Sequence, residues 1–105
     1  MKRNVILLPR AKFHLQEAAR WWAEHRSERQ ADRWLEAVRS LTDEADHMPR
    51  APDADRFEID LRQKLLGIGK QPTHRLVFYL NERDVVIIAV RHLAQDDLPA
   101  DTPLD

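Results

Sequence analysis

The stretch "HRLVFYLNERDVVIIAVRHL", residues 74–93, decides the fold. It contains two runs rich in β-branched and aromatic residues, separated by the polar tetrapeptide NERD. Such runs on either side of a short polar loop are typical of an antiparallel β-hairpin. Because both runs are almost continuously apolar, we expect both faces of the hairpin to be at least partly covered. One face should pack against helices, and the other is expected to be left for a partner.

Upstream of this hairpin, the spacing of apolar residues changes along the chain. Residues 4–8 form a short apolar run, which predicts a first strand. Residues 10–25 and 31–45 repeat apolar positions every three or four residues, which predicts two helices, the second ending at Met48 before a proline. Between them, "SERQ" at residues 27–30 has the pattern of a capping box. So short a link predicts an antiparallel helical hairpin.

A further strand is predicted between the helices and the hairpin. Residues 57–66 partly alternate between apolar and polar side chains. The predicted fold is therefore α+β, with the order β-αα-βββ and an antiparallel-rich sheet packed against an N-terminal helical hairpin. We expect a single domain over residues 1–97, followed by an acidic, flexible tail over residues 98–105.

Composition excludes several classes of protein. The chain has 105 residues, no cysteine and a net charge of −1, and its pI is about 6.5. Disulfide scaffolds, thiolate metal sites and cysteine nucleophiles are excluded. Domains that bind nucleic acid without sequence preference usually have a pI above about 9, and the pI of this chain is well below that value. No apolar run is long enough for a membrane span or a secretory signal, so we expect a cytoplasmic protein.

The pairing of the hairpin strands determines which candidate functional residues lie together. If the strands pair directly across the NERD loop, Arg75 falls opposite Val90 and shares a face with His92. His74 and Arg91 then oppose each other on the other face. A shift of one residue would reverse this grouping.

An arginine and a histidine on one face allow two interpretations. Arginine binds phosphate with two hydrogen bonds, and histidine serves as acid or base near neutral pH, so Arg75 and His92 could cleave RNA with Lys64 as a second cation. Tyr79 would lie near the same groove. In the alternative interpretation, Arg75 and His92 are solvated or ion-paired ends of strands.

Other candidate residues have simpler roles. Trp22 and Trp34 fit buried helical stripes, whereas Trp21 lies about 100° around the helix and is predicted at the boundary or exposed, where it would mark a partner surface. The remaining histidines show no metal-ligand spacing and are expected to be structural; they are His14, His25 and His47. We expect neither a metal nor a cofactor.

Three segments make the chain resemble the RelE/ParE superfamily of bacterial toxins from type II toxin–antitoxin, or plasmid-stabilisation, modules. They are "LLPRAKFHLQEAARWW", "ADRWLEAVRSLTDEADHMP" and "THRLVFYLNERDVVIIAVRHLAQDD". The resemblance covers roughly residues 4–97. It implies the β-αα-βββ fold and a small cognate antitoxin that wraps the toxin and neutralises it.

The superfamily has two branches with different activities. RelE-like members cleave mRNA on the ribosome, and the resemblance would then assign catalysis to Arg75, His92 and Lys64. ParE-like members inhibit DNA gyrase and have lost the basic cluster. The near-neutral charge and the aspartates after His92 favour the ParE-like branch, since ribosome binding requires a basic surface. We therefore expect a gyrase-inhibiting binding protein rather than an enzyme, with Trp21, Tyr79 and Arg91 contacting the antitoxin or the target.

Overall fold

The computed structural model describes residues 3–68, 71–93, 98–99 and 101–104. The strands are β1 Asn4–Leu7, β2 Arg62–Ile68, β3 Gln71–Leu80 and β4 Asp84–His92, and the helices are α1 Pro9–His25, α2 Glu28–Arg39 and the short α3 Leu41–Glu44. Two single 3₁₀ turns follow, Ala45–His47 and Ala54–Arg56. This element order confirms the predicted α+β, β-αα-βββ fold.

The four strands form one mixed sheet in the order β1-β4-β3-β2. The three C-terminal strands are antiparallel, whereas β1 pairs in parallel with β4 at the edge of the sheet. Strand β1 reaches β4 because α1 and α2 double back across one face of the sheet. Ser27 begins α2 as predicted, since its side chain accepts a hydrogen bond from the Gln30 amide.

Strand β2 begins later than the alternating pattern predicts. Residues 57–61 lie outside the strand, which starts at Arg62. Phe57 and Ile59 instead pack from a loop onto the sheet face that lies away from the helices, and Leu61 is fully buried there. Alternation arose in this segment because a loop crossing an apolar surface also turns every second residue inward.

A bulge in the hairpin shifts the predicted pairing. The strands pair directly across the NERD loop, as predicted. Phe78 lies opposite Ile87, but the preceding residue, Val77, lies opposite Ala89, so Ile88 is an extra residue in β4. Two consecutive residues of β4, Ile88 and Ala89, therefore face away from the helices.

The bulge regroups the residues at the end of the hairpin. Arg75 pairs with Arg91, and His74 pairs with His92. The prediction that Arg75 lies opposite Val90 and shares a face with His92 is wrong. The extra residue shifts the pairing of every position beyond it by one residue, which exchanges the two faces of β4. The two histidines lie on the helix face, and the two arginines lie on the other.

Both sheet faces are covered by the chain itself. The helices bury one face through residues that include Trp22, Trp34 and Phe78. The opposite face is covered by the loop around Ala54 and by Leu98 from the C-terminal segment. The expectation that one apolar sheet face is left for a partner is therefore wrong. The domain boundary at residue 97 stays a prediction, and the described residues beyond it contact the sheet.

Candidate functional site

Arg75 lies in a buried ion pair on the face away from the helices. Its guanidinium donates to both carboxylate oxygens of Asp53, at 2.9 and 2.6 Å, and to the Gln63 side chain at 3.2 Å. The Asp53 side chain is fully buried and also accepts from the Leu98 amide at 2.8 Å. The hydrogen bonds from Arg75, aided by that amide, lower the pKa of Asp53 to about 2 despite its burial. Arg75 thus joins β3, the 51–56 loop and the C-terminal segment.

Lys64 is held on the opposite, helix-facing side of the sheet. Its ammonium donates to the Ala37 carbonyl at 3.0 Å, to the Ser40 hydroxyl at 2.8 Å and to the Glu44 carboxylate. The hydrogen bond from Lys64 is the main cause of the lowered pKa of Glu44. This amine ties β2 to the ends of α2 and α3. It lies apart from Arg75, so the residues expected for RNA cleavage are not assembled at one place.

Tyr79 lies on the same face as Arg75 and is half-buried. Its hydroxyl donates to the Leu104 carbonyl at 2.9 Å. Tyr79 therefore anchors the C-terminal segment, and it is separated by the sheet from Trp21 on α1. The first two aspartates after His92, Asp96 and Asp97, lie outside the described residues.

Histidine and tryptophan side chains surround a groove between α1 and the adjoining ends of β3 and β4. Two overlapping cavities of about 430 and 410 Å³ share Ala18, Trp21, His74 and His92. Such volumes fall within the range of about 300–1,000 Å³ that is typical of small-molecule sites. We call this site the α1 groove; the remaining residues that line it are His14, Glu17, Trp22, Arg26, Thr73, Val90 and Arg91.

The two paired histidines of the α1 groove have different surroundings. His74 is partly buried, with its ring edge-on to Trp34 at 4.6 Å and to His92 at 4.8 Å between ring centroids. Burial lowers the pKa of His74 to about 4, with a smaller effect from His92. His74 is therefore neutral near pH 7, whereas His92 lies exposed at the rim.

The structure brings Trp21 and His92 together in this groove, and Arg91 also borders it, although its position in β4 faces away from the helices. Trp21 is 46% exposed, as the sequence suggested, whereas Trp22 and Trp34 are each 2% exposed and belong to the core. Sequence reasoning missed Asp53, which follows a proline in a polar loop and shows no periodicity. It also missed the groove, although His14, Ala18 and Trp21 have the spacing of one helix face.

A metal centre finds no support in the described residues. Among residues 3–68, 71–93, 98–99 and 101–104, no group of three histidine, aspartate or glutamate side chains is placed to hold a metal ion. Within the same ranges, no helix has the length and apolarity needed to cross a bilayer.

Comparison with known proteins adds to this geometry. The sequence matches the family described as "ParE toxin of type II toxin-antitoxin system, parDE" over residues 5–97. A solved structure titled "Chromosomal ParDE TA system from P. aeruginosa" is similar, with a TM-score of 0.60 and 14% sequence identity. The alignment covers 87% of this chain and 96% of that one. At this identity the likeness supports the fold alone. No curated relative matches the sequence.

Proposed function

Because the chain belongs to the ParE toxin family of type II toxin–antitoxin systems, we propose that it inhibits DNA gyrase and is neutralised by a cognate antitoxin. The toxin docks on the topoisomerase and performs no chemistry of its own. The antitoxin is a small protein that binds the folded toxin and prevents this docking.

The observation that favours this function over RNA cleavage is the internal engagement of the cations. Arg75 is bound to Asp53, and Lys64 is bound to Glu44, on opposite faces of the sheet. A ribonuclease needs cations that converge on one phosphate and are accessible to it. Reaching a phosphate would require breaking a buried pair and leaving Asp53 charged without its partner. The net charge of −1 also argues against docking on ribosomal RNA.

We propose Trp21 and Arg91 as contact residues for gyrase or the antitoxin. Both line the α1 groove, and the exposed indole of Trp21 has the amphipathic character of an interface anchor. Tyr79 contributes indirectly, since its bond to Leu104 holds the C-terminal segment in place.

The decisive experiment measures two outcomes of induced expression in parallel. We expect loss of plasmid supercoiling while mRNA stays intact, and purified toxin should inhibit gyrase supercoiling in vitro. Trp21→Ala and Arg91→Ala should weaken inhibition, whereas Phe13→Ala, which removes an exposed aromatic of α1 outside the groove, should not. Fragmented mRNA with normal supercoiling would instead support the RelE-like activity.

Neutralisation is tested separately. Coexpression of a short open reading frame that adjoins the toxin gene should restore growth, and the two proteins should elute together in size-exclusion chromatography. If no neighbouring small protein relieves toxicity, the antitoxin part of the proposal is wrong while gyrase inhibition can still hold.

A further inference from the structure

The α1 groove presents an aromatic ring in a fixed orientation. The Trp21 indole stacks on His25, with centroids 4.6 Å apart and planes inclined by 11°, and it lies nearly perpendicular to Trp22, with centroids 5.4 Å apart. His25 is itself tied to α1, because its Nδ1 lies 3.0 Å from the Trp21 carbonyl oxygen. An exposed indole held in this way loses little conformational freedom when a flat ligand stacks on it.

The space beside Trp21 is bordered on α1 by a small side chain. Ala18, one turn before Trp21 on α1, lines both cavities. His74 and His92 close the opposite side of the groove from the sheet. The cavities of about 430 and 410 Å³ between the helix and the strand ends have the volume to hold a planar ring.

The charge around the groove is positive at one end. Arg26, directly after α1, lines the cavity together with Thr73, and within the described residues no ion pair occupies its guanidinium. Arg91 is already engaged within the chain, so Arg26 is the cation assigned to a ligand. Glu17 lines the other of the two overlapping cavities, which does not include Arg26. A ligand that fits has a flat ring and an anionic group attached to it.

We propose that the α1 groove binds a nucleobase with its adjoining phosphate, the base stacking on Trp21 and the phosphate lying at Arg26. Stacking on an aromatic side chain accepts any base, and a single arginine at the phosphate adds salt-dependent affinity without sequence preference. The ligand is either a free nucleotide or one nucleotide of a single strand. This inference goes beyond gyrase inhibition and does not depend on it.

Direct titration tests the proposal without gyrase. Purified full-length toxin is titrated by isothermal calorimetry with adenosine monophosphate and, separately, with a short oligodeoxythymidylate. We expect saturable binding that Trp21→Ala weakens by about tenfold or more, that Trp21→Phe largely retains, and that Arg26→Ala weakens by about fivefold with a smaller salt dependence. Phe13→Ala and Arg29→Ala, exposed residues outside the groove, should bind like the unmodified protein.

The two probes distinguish the source of the ligand. Tighter binding of the oligonucleotide indicates a nucleic-acid strand, and equal or tighter binding of the mononucleotide indicates a free nucleotide. Absence of binding by both probes, or binding that Trp21→Ala leaves unchanged, overturns the proposal. If neither probe binds and Trp21→Ala weakens the antitoxin complex, the groove is a protein-docking site instead. Circular dichroism checks that each variant is folded.

Discussion

Replacing Arg75 with alanine should destabilise the fold through the buried carboxylate it leaves behind. The change removes two charge-assisted hydrogen bonds, of 2.9 and 2.6 Å, from an Asp53 side chain that has no solvent exposure. Removing one partner of a buried ion pair lowers the free energy of unfolding by about 3–5 kcal/mol. For a chain of this size, we expect the Tm to fall by roughly 12–20 °C.

A surface pair of the same length provides the matched control. Arg50 donates to Asp55 at 2.6 Å, but these side chains are 58% and 82% exposed. Solvent screens such a pair, so Arg50→Ala should cost less than about 1 kcal/mol. The two pairs have the same shortest distance but differ in burial and in the number of hydrogen bonds, two for Arg75 and one for Arg50.

Thermal and urea unfolding, followed by circular dichroism, measure both variants. A double-mutant cycle with Asp53→Ala should give a coupling energy of up to about 3 kcal/mol, because the double variant leaves no unpaired charge. Equal losses for Arg75→Ala and Arg50→Ala would refute the assignment of Arg75 to a structural role. In that case the guanidinium would again be available for chemistry.

Four further predictions concern the pH dependence of stability and three other side chains. Because the pKa of Asp53 is lowered to about 2, its charged carboxylate should contribute about 2 kcal/mol to the free energy of unfolding above pH 4. This contribution should disappear as the pH falls toward 2, and Asp53→Asn should flatten this part of the pH–stability curve. The pKa of His74 is lowered to about 4, so protonation favours unfolding; stability should fall from about pH 6.5 to pH 4, and His74→Phe should remove that slope. Ser27→Ala should lower the free energy of unfolding by about 1 kcal/mol in urea titrations, through loss of the α2 cap. Lys64→Met should lower the Tm, because it removes the ion pair with Glu44. Cellular mRNA should stay intact with both the variant and the unmodified protein. If the unmodified protein fragments mRNA and the variant does not, the structural role of Lys64 is contradicted.

The elements of the fold were predictable because their signals are local. The spacing of apolar residues identified both helices, and the capping residue Ser27 placed the start of α2. The two apolar runs around NERD identified the hairpin. The parallel partner of β1 could not be read in this way, because that pairing joins residues about 80 positions apart in the chain.

The candidate site was less predictable because it depends on register and burial. The extra residue Ile88 carries no signal, since any apolar residue fits a buried bulge. It alone decides that Arg75 meets Arg91 and that His74 meets His92. The engagement of Arg75 depends on Asp53, whose loop approaches the sheet only after the chain has folded. The exposure of Trp21, in contrast, followed from helix geometry.

The pairing of β1 with β4 links the beginning of the chain to its end in time as well as in space. Residues 4–7 leave the ribosome well before their strand partner, residues 84–87, because about 80 positions separate the two strands. The sheet cannot close, and the strand ends that border the α1 groove cannot come together, until β4 has been synthesised. A nascent or truncated chain therefore lacks the finished surface. A partner that recognises the strand ends can therefore bind only after β4 has been made.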